Sequence, residues 1–242
     1  MEKTKCGILF NGKQNLFKKY LEWIVKAQDQ KDFEITFVHT NNSQSIKDVP
    51  VSLGSYEEVI SSSDVVFSLG YWKKICKEDI KRVNLGIVNF HHSYELKFRG
   101  RHCATWAIRH NEKLHGSTMH FIDENIDEGK IIDSACFTLH DSDIAESVFN
   151  MSNEIGYSLL KRNFHKIITG QEIKYQPTVK KKHTYRSRDL SHDIQPTLDS
   201  EKLLREIRSL TFDKMPAPYL LLDGRKVYLK LDGYDSGKCE KQ

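Results

Sequence analysis

The sequence predicts an α/β fold: a mostly parallel sheet flanked by helices, closed by a small helix-plus-hairpin unit. Three observations carry this. Short apolar runs rich in β-branched and aromatic residues recur through the first half of the chain. Segments with apolar residues at helical spacing separate them, and such alternation implies right-handed βαβ crossovers. Near the end, Asp223-Gly224 lies between two apolar segments, which signals a hairpin turn.

Taken in order, residues 6–10 read as a buried strand and Asn11-Gly12-Lys13 as the turn after it. Leu16, Phe17, Tyr20, Leu21, Ile24 and Val25 form a helical stripe over 16–26. Residues 33–39 and 64–69 read as strands, with a short helix predicted over 55–61. A helix over 77–83 precedes the strand at 86–91. A helix at 104–109 follows, then two strands at 116–122 and 130–139 that should pair. Asp143, with Glu146 three positions on, offers an N-cap for a long helix reaching about Ile168 and stopped by Gly170. The boundary falls after Gln176, giving regions 1–176 and 177–242. Residues 180–188 are basic and poorly periodic and read as a surface linker. A helix at 200–210, strands at 219–222 and 226–231, and a frayed tail from Tyr234 complete the prediction.

Composition narrows the function classes. The chain has 242 residues, 38% of them hydrophobic, enough for one good-sized core and a small appendage. No apolar run reaches the ~18 residues a membrane helix needs. The N-terminal run Gly7 to Phe10 suits a strand better than a signal peptide, so cytoplasmic residence is the expectation. The five cysteines are scattered and show no CxxC pair, which disfavours a disulfide framework or a cysteine-built zinc site. The net charge of +4 suits an anionic small molecule and is too weak and dispersed to indicate nucleic acid.

The chemistry concentrates in Asn89-Phe90-His91 and in Asp123 to Gly129. Residues two apart on a strand point to the same side, so an amide donor and an imidazole share one small volume. They end a βαβ-type strand, where open parallel sheets place ligands. The later loop turns at Gly129 and can return Asp127 to the same strand end. An amide, an imidazole and a carboxylate suit acyl transfer to an amine, because they move a proton and stabilise an oxyanion. The histidines 92, 102, 110, 115 and 120 match no common zinc spacing, so no metal is expected. Asn11-Gly12-Lys13 could form a phosphate nest, but it lacks G-x-G-x-x-G.

Asn89-Phe90-His91-His92-Ser93, then Arg99-Gly100, then residues 115–132 resemble the 10-formyltetrahydrofolate-dependent formyltransferase family. The resemblance covers about residues 6–170 and implies a Rossmann-like catalytic domain over 1–176. It matches Asn89 and His91 to the family's N-x-H pattern, and Asp127 to the second Asp of D-x-x-x-D-x-G. It implies that a substrate amine attacks the formyl carbon of the folate co-substrate. Asn89 would donate to the oxyanion, His91 would stabilise that charge or accept the amine's proton, and Asp127 would orient His91. Positions matching the folate loops are Gly70, Tyr71, Trp72, Lys73 and Ile75, with Ile122 and Asp123. Tyr71 and Trp72 could equally be packing at a strand end. Candidate substrate contacts are Asn11 and Lys13 at the first turn, Tyr94, and Arg99-Gly100-Arg101, whose arginines could grip a diphosphate.

Residues 171–242 predict a helix and hairpin rather than the large barrel of methionyl-tRNA enzymes, and the expectation is therefore against a tRNA acceptor. Arg208 to Phe212, Tyr219 and Asp223 to Val227 resemble the end of nucleotide-sugar N-formyltransferases. That branch implies a dTDP- or GDP-linked amino sugar, with a 4-amino-4,6-dideoxy sugar expected first, for O-antigen assembly, and a homodimer. The family's proline-rich segment after the catalytic His is replaced by His92 to Phe98, without proline, which leaves the sugar open. Formyl transfer to a ribonucleotide or aminoacyl-tRNA amine, or folate-linked formyl hydrolysis, are the alternatives.

Overall fold

The computed structural model describes residues 2–12, 15–29, 32–176, 183–195, 199–213 and 215–231. Strand β1 spans Thr4–Phe10, followed by helix α1 at Lys18–Gln28 and β2 at Phe33–Thr40. Helix α2 (Tyr56–Ser61), β3 (Val65–Leu69), α3 (Lys77–Arg82) and β4 (Ile87–His91) continue the alternation. A two-residue strand β5 (Arg99–Gly100) leads into α4 (Cys103–Arg109). Then come β6 (Leu114–Phe121), β7 (Ile131–Thr138) and the long helix α5 (Ala145–Ile168). The C-terminal region holds β8 (Thr184–Tyr185), α6 (Ser200–Leu210), β9 (Tyr219–Leu222) and β10 (Arg225–Tyr228).

The main sheet has six strands in the order β2-β1-β3-β4-β6-β7. The first four are parallel, and β6 and β7 join antiparallel. β3 is buried along its whole length, as expected of a strand covered on both faces. On one face, α1 and α5 cover the sheet: Tyr20, Leu21 and Ile24 meet Leu159, Leu160 and Phe164 around Phe10, Phe33 and Phe67. On the other face, Val59 and Ile60 of α2 pack with Leu9, Val66, Ile75 and Ile87. No described helix is long and apolar enough to cross a membrane.

Some elements differ from the sequence reading for local reasons. The long helix starts at Ala145: Asp143 accepts instead from the His140 N–H at 2.8 Å, and the Ser147 hydroxyl accepts from the Ile144 N–H at 3.1 Å. The hairpin's second strand starts at Arg225, because the turn is only Asp223-Gly224, both at positive φ, and Leu222 pairs directly with Arg225. The basic stretch read as a surface linker contains β8, which pairs in parallel with β5. The region after residue 176 is therefore tied to the domain before it. Arg208 of α6 also donates to the carbonyls of His140 and Asp143. Lys13, residues 180–182 of the basic segment, and the tail from Tyr234 lie outside the described residues.

Candidate active site

β1, β3 and β4 run in parallel, so their carboxyl ends meet on one side of the sheet, where ligand sites of open α/β sheets form. β4 delivers Asn89 and His91 there. Antiparallel β6 sets His120 opposite Asn89 and Thr118 opposite His91. The β6–β7 loop then returns Asp127. A Cβ on Gly129 would lie 1.7 Å from the Phe121 carbonyl oxygen, so only glycine permits this return. Asp127 itself sits at φ 52°, a left-handed conformation that Asp tolerates better than most residues.

The three sequence-predicted groups converge. Asp127 Oδ2 is 3.5 Å from His91 Nδ1, and both side chains are only 9% exposed. The Asp127 Oδ1 is 3.7 Å from His120 Nε2, which is 3.2 Å from the Asn89 amide nitrogen. His91 Nε2 meets the Phe98 carbonyl at 2.5 Å and Cys103 Sγ at 3.4 Å. Both ring nitrogens therefore face acceptors that each require an N–H. Burial favours the neutral ring, but the Asp127 carboxylate, Cys103 and the Phe98 carbonyl outweigh it and raise the His91 pKa to about 10. His91 is an imidazolium at neutral pH. With both N–H groups engaged, it can stabilise developing negative charge as a nearby positive charge, and it has no lone pair with which to accept a proton.

His120 is the opposite case. Burial holds its pKa below the ordinary value, despite the pull of Asp127. Its Nδ1 lies 2.9 Å from the Phe121 carbonyl, which assigns the proton to Nδ1. Nε2 then carries a lone pair that accepts one N–H of the Asn89 amide. The second Asn89 N–H can serve an oxyanion. His120 was visible in the sequence only as one of several histidines with no metal spacing. Its place opposite Asn89 follows from antiparallel register.

The loop between His91 and Arg99 has no proline and is held by hydroxyls. Phe98 N–H donates to Ser93 Oγ at 2.7 Å, and Thr118 Oγ1 donates to the Ser93 carbonyl at 2.6 Å. Glu95 and Leu96 take left-handed φ of 51° and 54° between them. Gly100 N–H donates to Asp127 Oδ2 at 2.8 Å. Arg99 is buried against Glu128, next in sequence to Asp127, so its guanidinium is engaged within the protein. Arg101 is exposed, with a nitrogen 3.4 Å from Ser187 Oγ. The half-buried Tyr94 bonds to Glu95 and borders Cys136 of β7. Asn11 is buried in the first turn, where its side-chain oxygen accepts from Asn41 at 3.2 Å.

Of the folate positions, Tyr71, Ile75 and Ile122 share the cluster around Val66 and Ile87. The register Ser68↔Asn89 brings Gly70 to the strand end beside His91. Trp72 stacks on His39 with ring centres 5.9 Å apart. Lys73 is exposed, and Asp123 accepts from the Asn125 N–H at 2.9 Å, which shapes the loop. No group of described His, Cys, Asp or Glu residues is arranged to hold a metal.

An α/β sheet with an amide, an imidazolium and a carboxylate gathered at its carboxyl edge is an arrangement suited to acyl transfer. Residues 25–163, more than half of the chain, match the family described as Formyl transferase, and the chain belongs to that family. Methionyl-tRNA formyltransferase of Thermodesulfovibrio yellowstonii is 32% identical over 121 residues, 47% of this chain and 39% of the relative, so the chain matches well under half of that protein. GDP-perosamine N-formyltransferase of Brucella melitensis is 27% identical over 176 residues, 72% of this chain and 67% of the relative. A solved 4-N formyltransferase from Francisella tularensis superposes with a TM-score of 0.81 at 15% identity, covering 96% of this chain and 98% of that one.

Proposed function

We propose that this chain transfers the formyl group of 10-formyltetrahydrofolate to the amine of a nucleotide-linked amino sugar. The observation that carries the reading is the convergence of Asn89, His91 and Asp127 at one strand end. Sugar acceptors are favoured because GDP-perosamine N-formyltransferase aligns over most of the chain, whereas the tRNA enzyme aligns over less than half.

The chemistry follows from the geometry. The amine lone pair forms a bond to the formyl carbon while the carbonyl oxygen takes on negative charge. The Asn89 amide meets that charge as a fixed donor and the His91 imidazolium as a nearby positive charge, in a mostly buried site. Collapse restores the carbonyl and breaks the bond to the folate nitrogen, which takes up a proton. The proton lost by the amine is routed to the Asp127 carboxylate, whose Oδ1 lies 3.7 Å from His120 Nε2, because the lone pair of that nitrogen already accepts from Asn89. No covalent enzyme intermediate is required, since the acceptor is itself the nucleophile.

The pterin is assigned to the wall of Tyr71, Trp72, Ile75 and Ile122, with Gly70, Lys73 and Asp123 contributing backbone. Arg101, exposed beside the site, is the candidate for the diphosphate, with Asn11, Tyr94 and Gly100 at its margin. A dTDP-linked 4-amino-4,6-dideoxy sugar, serving O-antigen assembly in the cytoplasm, is the first candidate acceptor. We assign a homodimer to the C-terminal hairpin, whose Leu221, Leu222, Val227 and Tyr228 are all exposed.

The test is an acceptor screen of dTDP- and GDP-linked amino sugars with 10-formyltetrahydrofolate, read as mass gain on the sugar. Formylation of at least one supports the reading. Activity confined to another amine, or formate release without any acceptor, replaces it with the ribonucleotide, tRNA or hydrolase alternative.

A further inference from the structure

The residues that position the His91–Asp127 pair extend into a part of the chain remote in sequence. One short stretch of backbone touches both partners: the Phe98 carbonyl meets His91 Nε2 at 2.5 Å, and Gly100 N–H donates to Asp127 Oδ2 at 2.8 Å. That stretch is held from behind. Arg99 pairs with Thr184 and Gly100 with Tyr185, and Arg101 N–H donates to the Tyr185 carbonyl at 2.9 Å. The approach is close enough that a Cβ on Gly100 would lie 2.1 Å from the Tyr185 oxygen, and Gly100 takes φ +82°.

Tyr185 is itself anchored. Its ring stacks on Trp106 at 4.2 Å with planes 23° apart, and its hydroxyl is 3.2 Å from His110 Nε2. Trp106 and His110 sit on and just after α4, and α4 begins at Cys103, which contacts His91 Nε2. One residue thus braces both the loop, through its backbone, and the helix, through its side chain, that surround the imidazole. We propose that β8 is part of the catalytic apparatus, with Tyr185 as a positioning residue that holds residues 98–101 against His91 and Asp127. The proposal rests on the reading of His91 and Asp127 as the reacting pair.

A tether that merely fastens the C-terminal region would leave the imidazole untouched, and this separates the two roles. The charged and titratable groups facing His91 are Asp127 from the β6–β7 loop, Cys103 from α4, and His92, His115 and His120. If the brace loosens, Asp127 and the Phe98 carbonyl retreat and burial regains control of the ring. The experiment compares full-length wild type, Tyr185→Ala and Tyr185→Phe by kcat, by KM for both substrates, and by NMR titration of the His91 ring.

In Tyr185→Ala, kcat falls about tenfold or more, since small misplacements of reacting groups are that costly. KM values stay within about threefold, and the His91 midpoint drops from about 10 toward 6.5. Tyr185→Phe keeps the stack and restores both readouts. An unchanged His91 titration and kcat in a folded Tyr185→Ala protein overturns the proposal, as does a Tyr185→Phe protein equally impaired. Trp106→Leu removes the same stack from the helix side and carries the test if Tyr185→Ala does not fold. A wild-type protein that formylates nothing refutes the proposed activity, yet the titration still decides whether β8 sets the pair.

Discussion

Replacing Asp127 with Asn removes one charge and keeps the shape. The asparagine oxygen can still accept from Gly100 N–H, so the loop stays in place. What disappears is a full negative charge 3.5 Å from His91 Nδ1. At an effective dielectric near 20, that attraction is about 5 kcal/mol, a factor of more than about a thousand in the protonation equilibrium. Cys103 and the Phe98 carbonyl then have to oppose burial. His91 should titrate from its wild-type value of about 10 to near or below the 6.5 of an ordinary imidazole. At pH 7.5 the ring becomes neutral, the oxyanion loses a nearby positive charge, and kcat falls by about 10²–10³-fold. The assay pairs NMR titration of the His91 ring with kcat across pH 6–9, in a variant shown to melt like wild type. Part of the lost rate should return below the new His91 pKa, where the ring is charged again. A His91 midpoint that stays above 9 in this variant would refute the claim that Asp127 holds the charge, whatever happens to the rate.

Three other outcomes follow from the same geometry. Asn89→Ala should cost about 2.7–4 kcal/mol in the barrier, the usual loss for one oxyanion donor, with an unchanged circular dichroism spectrum; a folded variant with normal kcat removes Asn89 from the mechanism. Gly129→Ala should lower the melting temperature sharply or prevent soluble expression, since the added carbon would sit 1.7 Å from a backbone oxygen, and a wild-type melting curve would show that the loop can relax. His115 is buried and neutral, with a pKa lowered to about 3 by burial and by the neighbouring charge of His91. The unfolded chain therefore binds a proton at this site below about 6.5 that the folded chain refuses, and stability falls from pH 6.5 toward 3, by about 3 kcal/mol at pH 4 from this group. Urea titrations at pH 7 and pH 4 on wild type and His115→Phe measure it, and equal pH dependence in the two proteins contradicts it.

Much of the sheet was legible because its strands obey a simple rule. Val65 to Leu69 is an unbroken apolar run, and only a strand covered on both faces needs one. Asn89 and His91 were legible as a pair because strand periodicity alone puts them on one side. Asp127 required the glycine that follows it. What stayed hidden depended on register and on distant partners. His120 faces Asn89 only because β6 runs antiparallel with that particular pairing, and no local pattern encodes a register. Arg99 resembled an anion clamp in sequence and is instead buried against Glu128. β8 was invisible because two residues have no period to detect, and its strand character comes wholly from pairing with Arg99 and Gly100 of β5.

The loop after β4 shows how backbone shape can be kept while sequence changes. A proline fixes φ by covalent constraint. Here Ser93 Oγ and Thr118 Oγ1 bind the same loop through buried hydrogen bonds, and the chain passes through two left-handed residues without a single glycine between Ser93 and Arg99. The product of that path is the Phe98 carbonyl pointing at His91 Nε2. Because that oxygen and Asp127 engage both ring nitrogens, neither is left to accept a proton, and in the proposed transfer that role falls to the Asp127 carboxylate. Two rings on neighbouring strands are thus held in opposite states, His91 charged by its acceptors and His120 neutral by burial.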